Sequence, residues 1–252
     1  MRYVAEPNIP EAEITSAALC RKSKAFDAIS SMGIAVVPVL ETDKLSGATA
    51  SHADLQLLHL GGNKIIAASC CDETKDMLKS LEFEVKIAQK ELSDGYPNDC
   101  VLNALIIGSR IICSGKVMDP LIGSFAKETG REVLNVKQGY ARCSCAVINK
   151  NAVITADAGI CDAAKAAGMD VLLIHAGYIE LEGYDTGFIG GCCGLIAPDV
   201  LATTGNITEH IDGENMRAFA RNYGVYIEPL SPGTLIDVGG IIPLTERGAD
   251  KR

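Results

Sequence analysis

No apolar run in the 252-residue chain approaches the roughly 20 residues of a membrane span, so a spanning helix is not expected. The opening Met1-Arg2-Tyr3-Val4-Ala5-Glu6-Pro7 lacks the apolar core of a secretory signal. Without an export signal, the ten cysteines read as reduced thiols of a cytoplasmic protein, not as a disulfide framework. There is no Cys-x-x-Cys, and the four histidines are scattered, so a structural zinc site is not expected. Nor is there a basic cluster: the net charge of −9 argues against nucleic acid as a partner and agrees with a cationic one. Prolines are few, nine against 25 glycines, which suits many short elements joined by tight turns.

What is present supports a folded chain. Hydrophobic residues make up 48% and charged residues 22%, enough to bury a sizeable core. Length alone allows one large domain or two small ones. The strongest signal is an internal repeat. Polar heads recur at His52-Ala53-Asp54, Asn98-Asp99-Cys100, Cys143-Ser144-Cys145, Gly191-Cys192-Cys193 and Asp237-Val238-Gly239. From 52 to 98, 143, 191 and 237 the steps are 46, 45, 48 and 46 residues.

Each head opens the same grammar: apolar strand, turn, second strand, helix, third strand. The first unit reads Leu55–Leu60, a Gly61-Gly62-Asn63 turn, Ile65–Ala68, a helix near Asp72–Leu81 and Phe83–Ile87. The second reads Val101–Ile107, Ile111–Ser114, a helix near Asp119–Thr129 and Glu132–Val136. The third reads Ala146–Ile148, Val153–Ala156, a helix near Ala158–Ala167 and Asp170–Ile174. The fourth reads Leu195–Ala197, Leu201–Thr204, a helix near Gly213–Tyr223 and Val225–Glu228. Four of the five helix ends carry glycine (Gly33, Gly130, Gly168, Gly224), the residue a left-handed helix stop favours most. The fifth unit is split. Its strand pair is expected within Leu235–Leu244, its helix within residues 11–32 and its last strand at Ile34–Val39.

Repeats of this length also suit a β-propeller, but propeller blades are all-β and each unit here holds an amphipathic helix. The expected fold is therefore α/β: a five-fold pseudo-symmetric α/β propeller of ββαβ units. Residues 1–252 form a single domain in this reading, and the termini close within one repeat. Helices lie outside and the heads face a central channel. One insertion, His175–Gly190, breaks the regularity and reads as a lid or binding loop.

The chemistry-bearing stretch is Gln138–Lys150, with two thiols one residue apart at the head of an apolar run. Placed in a strand, Cys143 and Cys145 share a face. The run Cys143-Ser144-Cys145-Ala146-Val147-Ile148-Asn149-Lys150 is similar to the nucleophile-bearing strand of the dimethylargininases. His52-Ala53-Asp54 resembles the His-x-Asp of arginine deiminases, and His52 precedes Cys143 by 91 residues, about two repeats. With the repeat grammar, these motifs resemble the pentein, or guanidino-group-modifying enzyme, fold. Arginine deiminases, dimethylargininases, agmatine deiminases and amidinotransferases share it. As a whole the sequence resembles a bacterial family described by this fold and not by an activity.

The resemblance implies a C–N bond hydrolase, or an amidinotransferase-like enzyme, of a small cationic guanidino or amidino compound. Cys143 attacks the guanidinium carbon to give a thiouronium-type intermediate, and His52 acts as acid and base. Asp54, Asp99 and Asp237 are the candidate substrate-binding carboxylates, and Cys193, at the head of the neighbouring unit, is a further candidate for lining the substrate site. The reaction calls for no cofactor and no metal. The expected partners are the small cation, no nucleic acid and no membrane; homo-oligomer formation is compatible with the sequence.

One departure bears on competence. The family's Glu-Gly-Gly-Asp motif, whose Glu orients the histidine, aligns its glycine pair with Gly239-Gly240. Val238 then stands at the Glu position and Ile241 at the Asp position. Asp237 lies one residue earlier, where strand alternation points it to the other face. The rival expectation is a non-catalytic pentein that binds a ligand or a protein, as the ribosomal anti-association factor of this fold does. A third reading makes Cys143, Cys145, Cys192 and Cys193 a redox or soft-metal site.

Overall fold

The computed structural model describes residues 2–248. Among these residues one pattern recurs five times: an antiparallel strand pair, a helix, and a third strand parallel to the second.

At the N-terminus, β1 (Arg2–Tyr3) is followed by β2 (Ile14–Cys20), α1 (Lys24–Ser31) and β3 (Ala35–Val39). A four-residue helix α2 (Ala53–Gln56) then leads into β4 (Leu57–Gly61), β5 (Lys64–Ala67), α3 (Asp72–Ser80) and β6 (Glu84–Ile87). The next unit is β7 (Leu105–Ile107), β8 (Arg110–Cys113), α4 (Pro120–Thr129) and β9 (Glu132–Asn135). After it come β10 (Cys145–Asn149), β11 (Ala152–Thr155), α5 (Ala158–Ala166) and β12 (Asp170–Leu173). The short β13 (Ile179–Glu180) interrupts before β14 (Cys193–Ala197), β15 (Val200–Thr203), α6 (Gly213–Arg221) and β16 (Tyr226–Pro229). The chain ends with β17 (Leu235–Ile236) and β18 (Ile242–Glu246).

The split unit is assembled from both ends, but the break falls elsewhere than expected. Only β18 comes from the C-terminal side; it pairs antiparallel with β2, and β2 runs parallel to β3. Residues 14–20 are thus a strand, and the helix expected over 11–32 begins at Lys24. Ala17, Ala18 and Leu19 are fully buried in the middle of this sheet, and that burial overrides the helical tolerance of Ala and Ser. Ser23 starts the helix by accepting from the Phe26 amide.

Local chemistry sets the other helices as well. Asp119 caps α4 through the Leu121 amide with Pro120 in the first turn, and Asp157 caps α5 through the Ile160 amide. Gly33, Gly130, Gly168 and Gly224 all adopt positive φ, from +68° to +80°. At the fifth equivalent joint Glu82 adopts the same conformation, φ +63°.

The core is aliphatic. One cluster joins the sheets of β4–β6 and β7–β9 to β18; another joins those of β10–β12 and β14–β16. The insertion is tied down by β13, which pairs parallel with β17. No helix among the described residues is long and apolar enough to cross a membrane.

Candidate active site

Strand starts bring the site together, and the residues just before them bear its chemistry. His52 is the N-cap of α2, and Asp54 lies in its first turn. Cys143 lies in the turn of residues 141–144 that precedes β10, closed by Ser144 N–H to Tyr140 O at 3.0 Å. The strand placement expected for Cys143 is therefore corrected, and alternation does not govern where its thiol points. Asp237 likewise follows β17 in irregular backbone, not in a strand, so the expectation that it faces away is corrected too.

Asp54 is the hub. The Cys143 thiol donates to Asp54 Oδ2 at 2.8 Å. Arg142 Nη1 lies 3.9 Å from the same oxygen. His52 Nδ1 lies 3.8 Å from Asp237 Oδ1. Asn103 holds the turn: its Oδ1 accepts from the Arg142 and Cys143 amides at 2.8 and 3.1 Å, and its Nδ2 donates to Cys143 Sγ at 3.0 Å. All six residues are buried.

Two glycines allow this approach. A Cβ on Gly239 would lie 2.5 Å from His52 Cα; one on Gly240 would lie 2.5 Å from Arg142 Nη1. Both also have positive φ. The pair thus fits because a histidine and a guanidinium press against it.

The insertion closes the site from the far side. The Gly190 and Gly191 amides donate to Cys143 O at 2.7 and 3.1 Å, and the Phe188 amide donates to Asp237 Oδ2 at 2.8 Å. Arg142 Nη1 donates to Gly190 O and Nη2 to Ile241 O. Little room is left here: the cavity that Asp54 and Arg142 help to line, with Leu57, His59 and Leu102, is about 10 Å³. A larger cavity of about 650 Å³ reaches Asp237 and Ser51 from the outside, between Lys24 and Glu182 of the insertion.

Burial dominates the electrostatics. It pushes the Cys143 thiol well above its ordinary value, and the Asp54 carboxylate adds to the shift while Arg142 opposes it. Burial also raises Asp54 above the usual carboxylate range, against the pull of Arg142 and His52. The resting thiol is therefore protonated and donates its proton to the carboxylate. Asp54 Oδ1 and His52 Nε2 are buried without a hydrogen-bond partner.

The remaining candidates lie to the side. Asp99 accepts from the Tyr140 hydroxyl, and the Tyr140 ring packs against Phe188 at 5.6 Å between centroids. Cys193 donates to Ile189 O at 3.3 Å, and burial pushes its thiol up to about 12. Among the described residues no group of three or more His, Cys, Asp or Glu is arranged to hold a metal ion. Sequence reasoning missed Asn103, whose signal was a lone amide inside the apolar run 101–107.

The sequence profile of DUF6873, a family of unknown function, matches residues 20–242. The chain belongs to this family. No curated protein matches it by sequence. Among solved structures it is similar to an amidinotransferase of the saxitoxin pathway from Microseira wollei, with TM-score 0.58 and 8% identity over 99% of both chains. A C. jejuni agmatine deiminase gives TM-score 0.59 and 11% identity over 98% of this chain and 97% of the other. A dimethylarginine dimethylaminohydrolase gives TM-score 0.54 and 8% identity over 86% and 92%. The fold of this DUF6873 chain is thus that of the pentein, guanidino-group-modifying enzymes.

Proposed function

We propose that this chain is a cysteine-dependent enzyme of small guanidino or amidino compounds, with Cys143 as nucleophile and His52 as acid and base. One observation carries the reading: the Cys143 thiol is hydrogen-bonded to Asp54 at 2.8 Å, with His52 and Asp237 packed beside that carboxylate. A thiol, a carboxylate for a planar cation and an imidazole backed by a second carboxylate form the set this chemistry needs. Asp237 supplies the orienting acid in place of the family's Glu. The solved relatives, named for guanidino chemistry, support the class of reaction. In this reading the sheets of the five repeated units close a ring within one domain, the two chain ends sharing a unit.

Sγ forms a bond to the amidinium carbon while its proton passes to His52. The C–N bond breaks as His52 returns that proton to the leaving amine, giving the thiouronium intermediate. Water, deprotonated by His52, attacks the same carbon; the S–C bond breaks and the thiol regains its proton. An acceptor amine in place of water gives amidino transfer. A cation bound at Asp54 offsets the charge that holds the thiol protonated, so substrate itself promotes attack.

The closed, fully buried site supports a second reading, a pentein that binds without turning over. An assay for ureido product and ammonia over a panel of arginine derivatives decides between them, run beside Cys143→Ser and Asp237→Asn. Simple guanidines such as arginine and agmatine are expected to yield little product. A true substrate turns over in a Cys143-dependent way, and Asp237→Asn lowers the rate by about 10⁴, the scale of losing an orienting carboxylate. Turnover that survives Cys143→Ser contradicts the catalytic assignment.

A further inference from the structure

The centre of the site is occupied by a side chain that the reaction above does not use. The Arg142 guanidinium is buried, its two terminal nitrogens donating to separate carbonyls, Gly190 O and Ile241 O. Nη1 also faces Asp54 Oδ2 at 3.9 Å. Gly240 has no side chain where a Cβ would lie 2.5–2.8 Å from Nη1, Cζ and Nη2, so the backbone lies directly against the group. Diverging acceptors around a flat backbone seat match a planar cation with several N–H groups. An ammonium, compact and tetrahedral, cannot reach all of them.

We propose that these groups form a guanidinium-binding slot that the chain fills with its own Arg142, so that a free guanidinium enters only when that side chain is displaced or absent. The proposal deepens the reading above and rests on it only for the class of ligand. Arg142 is an incomplete occupant. It approaches one Asp54 oxygen at long range, and Asp54 Oδ1 is left buried and unpartnered, as is His52 Nε2. A free guanidinium, not tied to the turn before β10, can engage both carboxylate oxygens. It cannot do so alongside Arg142, because the cavity that Asp54 and Arg142 line together with Leu57, His59 and Leu102 holds about 10 Å³, room for about one water. The occupant also offsets the buried Asp54 carboxylate, which it faces at 3.9 Å.

The test removes the occupant from the full-length chain. Thermal unfolding of wild type and Arg142→Ala is followed by circular dichroism with millimolar guanidinium chloride, against sodium chloride and ethylammonium chloride at equal ionic strength. Arg142→Ala is expected to be stabilised by guanidinium alone, its folded-to-unfolded ratio rising about tenfold at ten times the dissociation constant, with no gain in wild type. Adding Asp54→Asn to Arg142→Ala should abolish the response. If Arg142→Ala does not fold unaided, it is refolded with and without guanidinium, and recovery with guanidinium alone counts for the slot. Equal responses of wild type and variant, a response shared by ethylammonium, or no recovery on refolding each overturn it. Run in a Cys143→Ser background, the measurement is independent of catalysis. A retained response without turnover sinks the enzyme reading only; turnover without a response sinks the slot only.

Discussion

Two neighbouring strand starts carry buried cysteines, with different surroundings. At the start of β10, the Cys143 thiol donates to a carboxylate and accepts from Asn103. At the start of β14, Cys192 and Cys193 donate to the carbonyls of Phe188 and Ile189, a few residues back in their own segment. Cys192 and Cys193 also belong to an apolar cluster. All three thiols are raised by burial, so burial alone does not distinguish them. The partners do. Cys143 is bonded to polar groups from two other units, whereas Cys192 and Cys193 close local turns and fill space. A head position in this repeat provides a place; polar residues converging from elsewhere make it a site.

Removing the carboxylate is expected to have the largest effect. Asp54→Ala leaves the Arg142 guanidinium without its carboxylate and is expected to cost about 3–5 kcal/mol in urea unfolding. Cys193→Ala loses only packing and should cost about 1 kcal/mol. Equal losses would mean that the two heads differ in name only.

The histidines repeat the contrast. His59, seven residues after His52, donates Nε2–H to Gly62 O at 2.9 Å and packs edge-on against Phe83. Burial lowers it to about 4 from an ordinary 6.5. The unfolded chain therefore takes up a proton below about 6.5 while the folded chain resists until about 4. Stability from this residue is present above 6.5 and is lost as pH falls through that window, by about 3 kcal/mol in all. His59→Gln should flatten the acid limb of stability against pH and leave Cys143 chemistry unchanged. An unchanged acid limb would contradict the neutral, structural role of His59.

The smallest effect sharpens the repeat itself. Glu82 occupies the left-handed position that glycine fills in the other four units. Glu82→Gly should raise stability by about 1 kcal/mol, seen as a higher urea midpoint. A loss would show that the Glu82 side chain contributes more than its backbone costs.

Much of this was legible in the sequence because periodicity survives divergence. Polar heads at steps of 45 to 48 residues and glycine helix ends located the units to within a few residues. Residues 14–20 were misread because Thr, Ser and Ala suit either structure, and only a central place between β18 and β3 decides. Asp237 and Cys143 were misdirected by assuming strand alternation one or two residues beyond a strand end, where turns set the direction. Asn103 and the Arg142 plug lay beyond reach for another reason. Their partners are set by long-range packing, and no local motif records it.

The central claim is that Cys143 is a nucleophile addressed through a cation slot, and site-directed labelling tests it most directly. Near neutral pH, chloroacetamidine and neutral iodoacetamide are each reacted with the native chain, and the ten thiols are followed by peptide mass spectrometry. Irreversible labelling captures even brief displacements of Arg142. The account predicts that chloroacetamidine modifies Cys143 first, while iodoacetamide prefers Cys70, the only cysteine that is not buried. Chloroacetamidine following the iodoacetamide order, with Cys70 ahead and Cys143 slow, would contradict it.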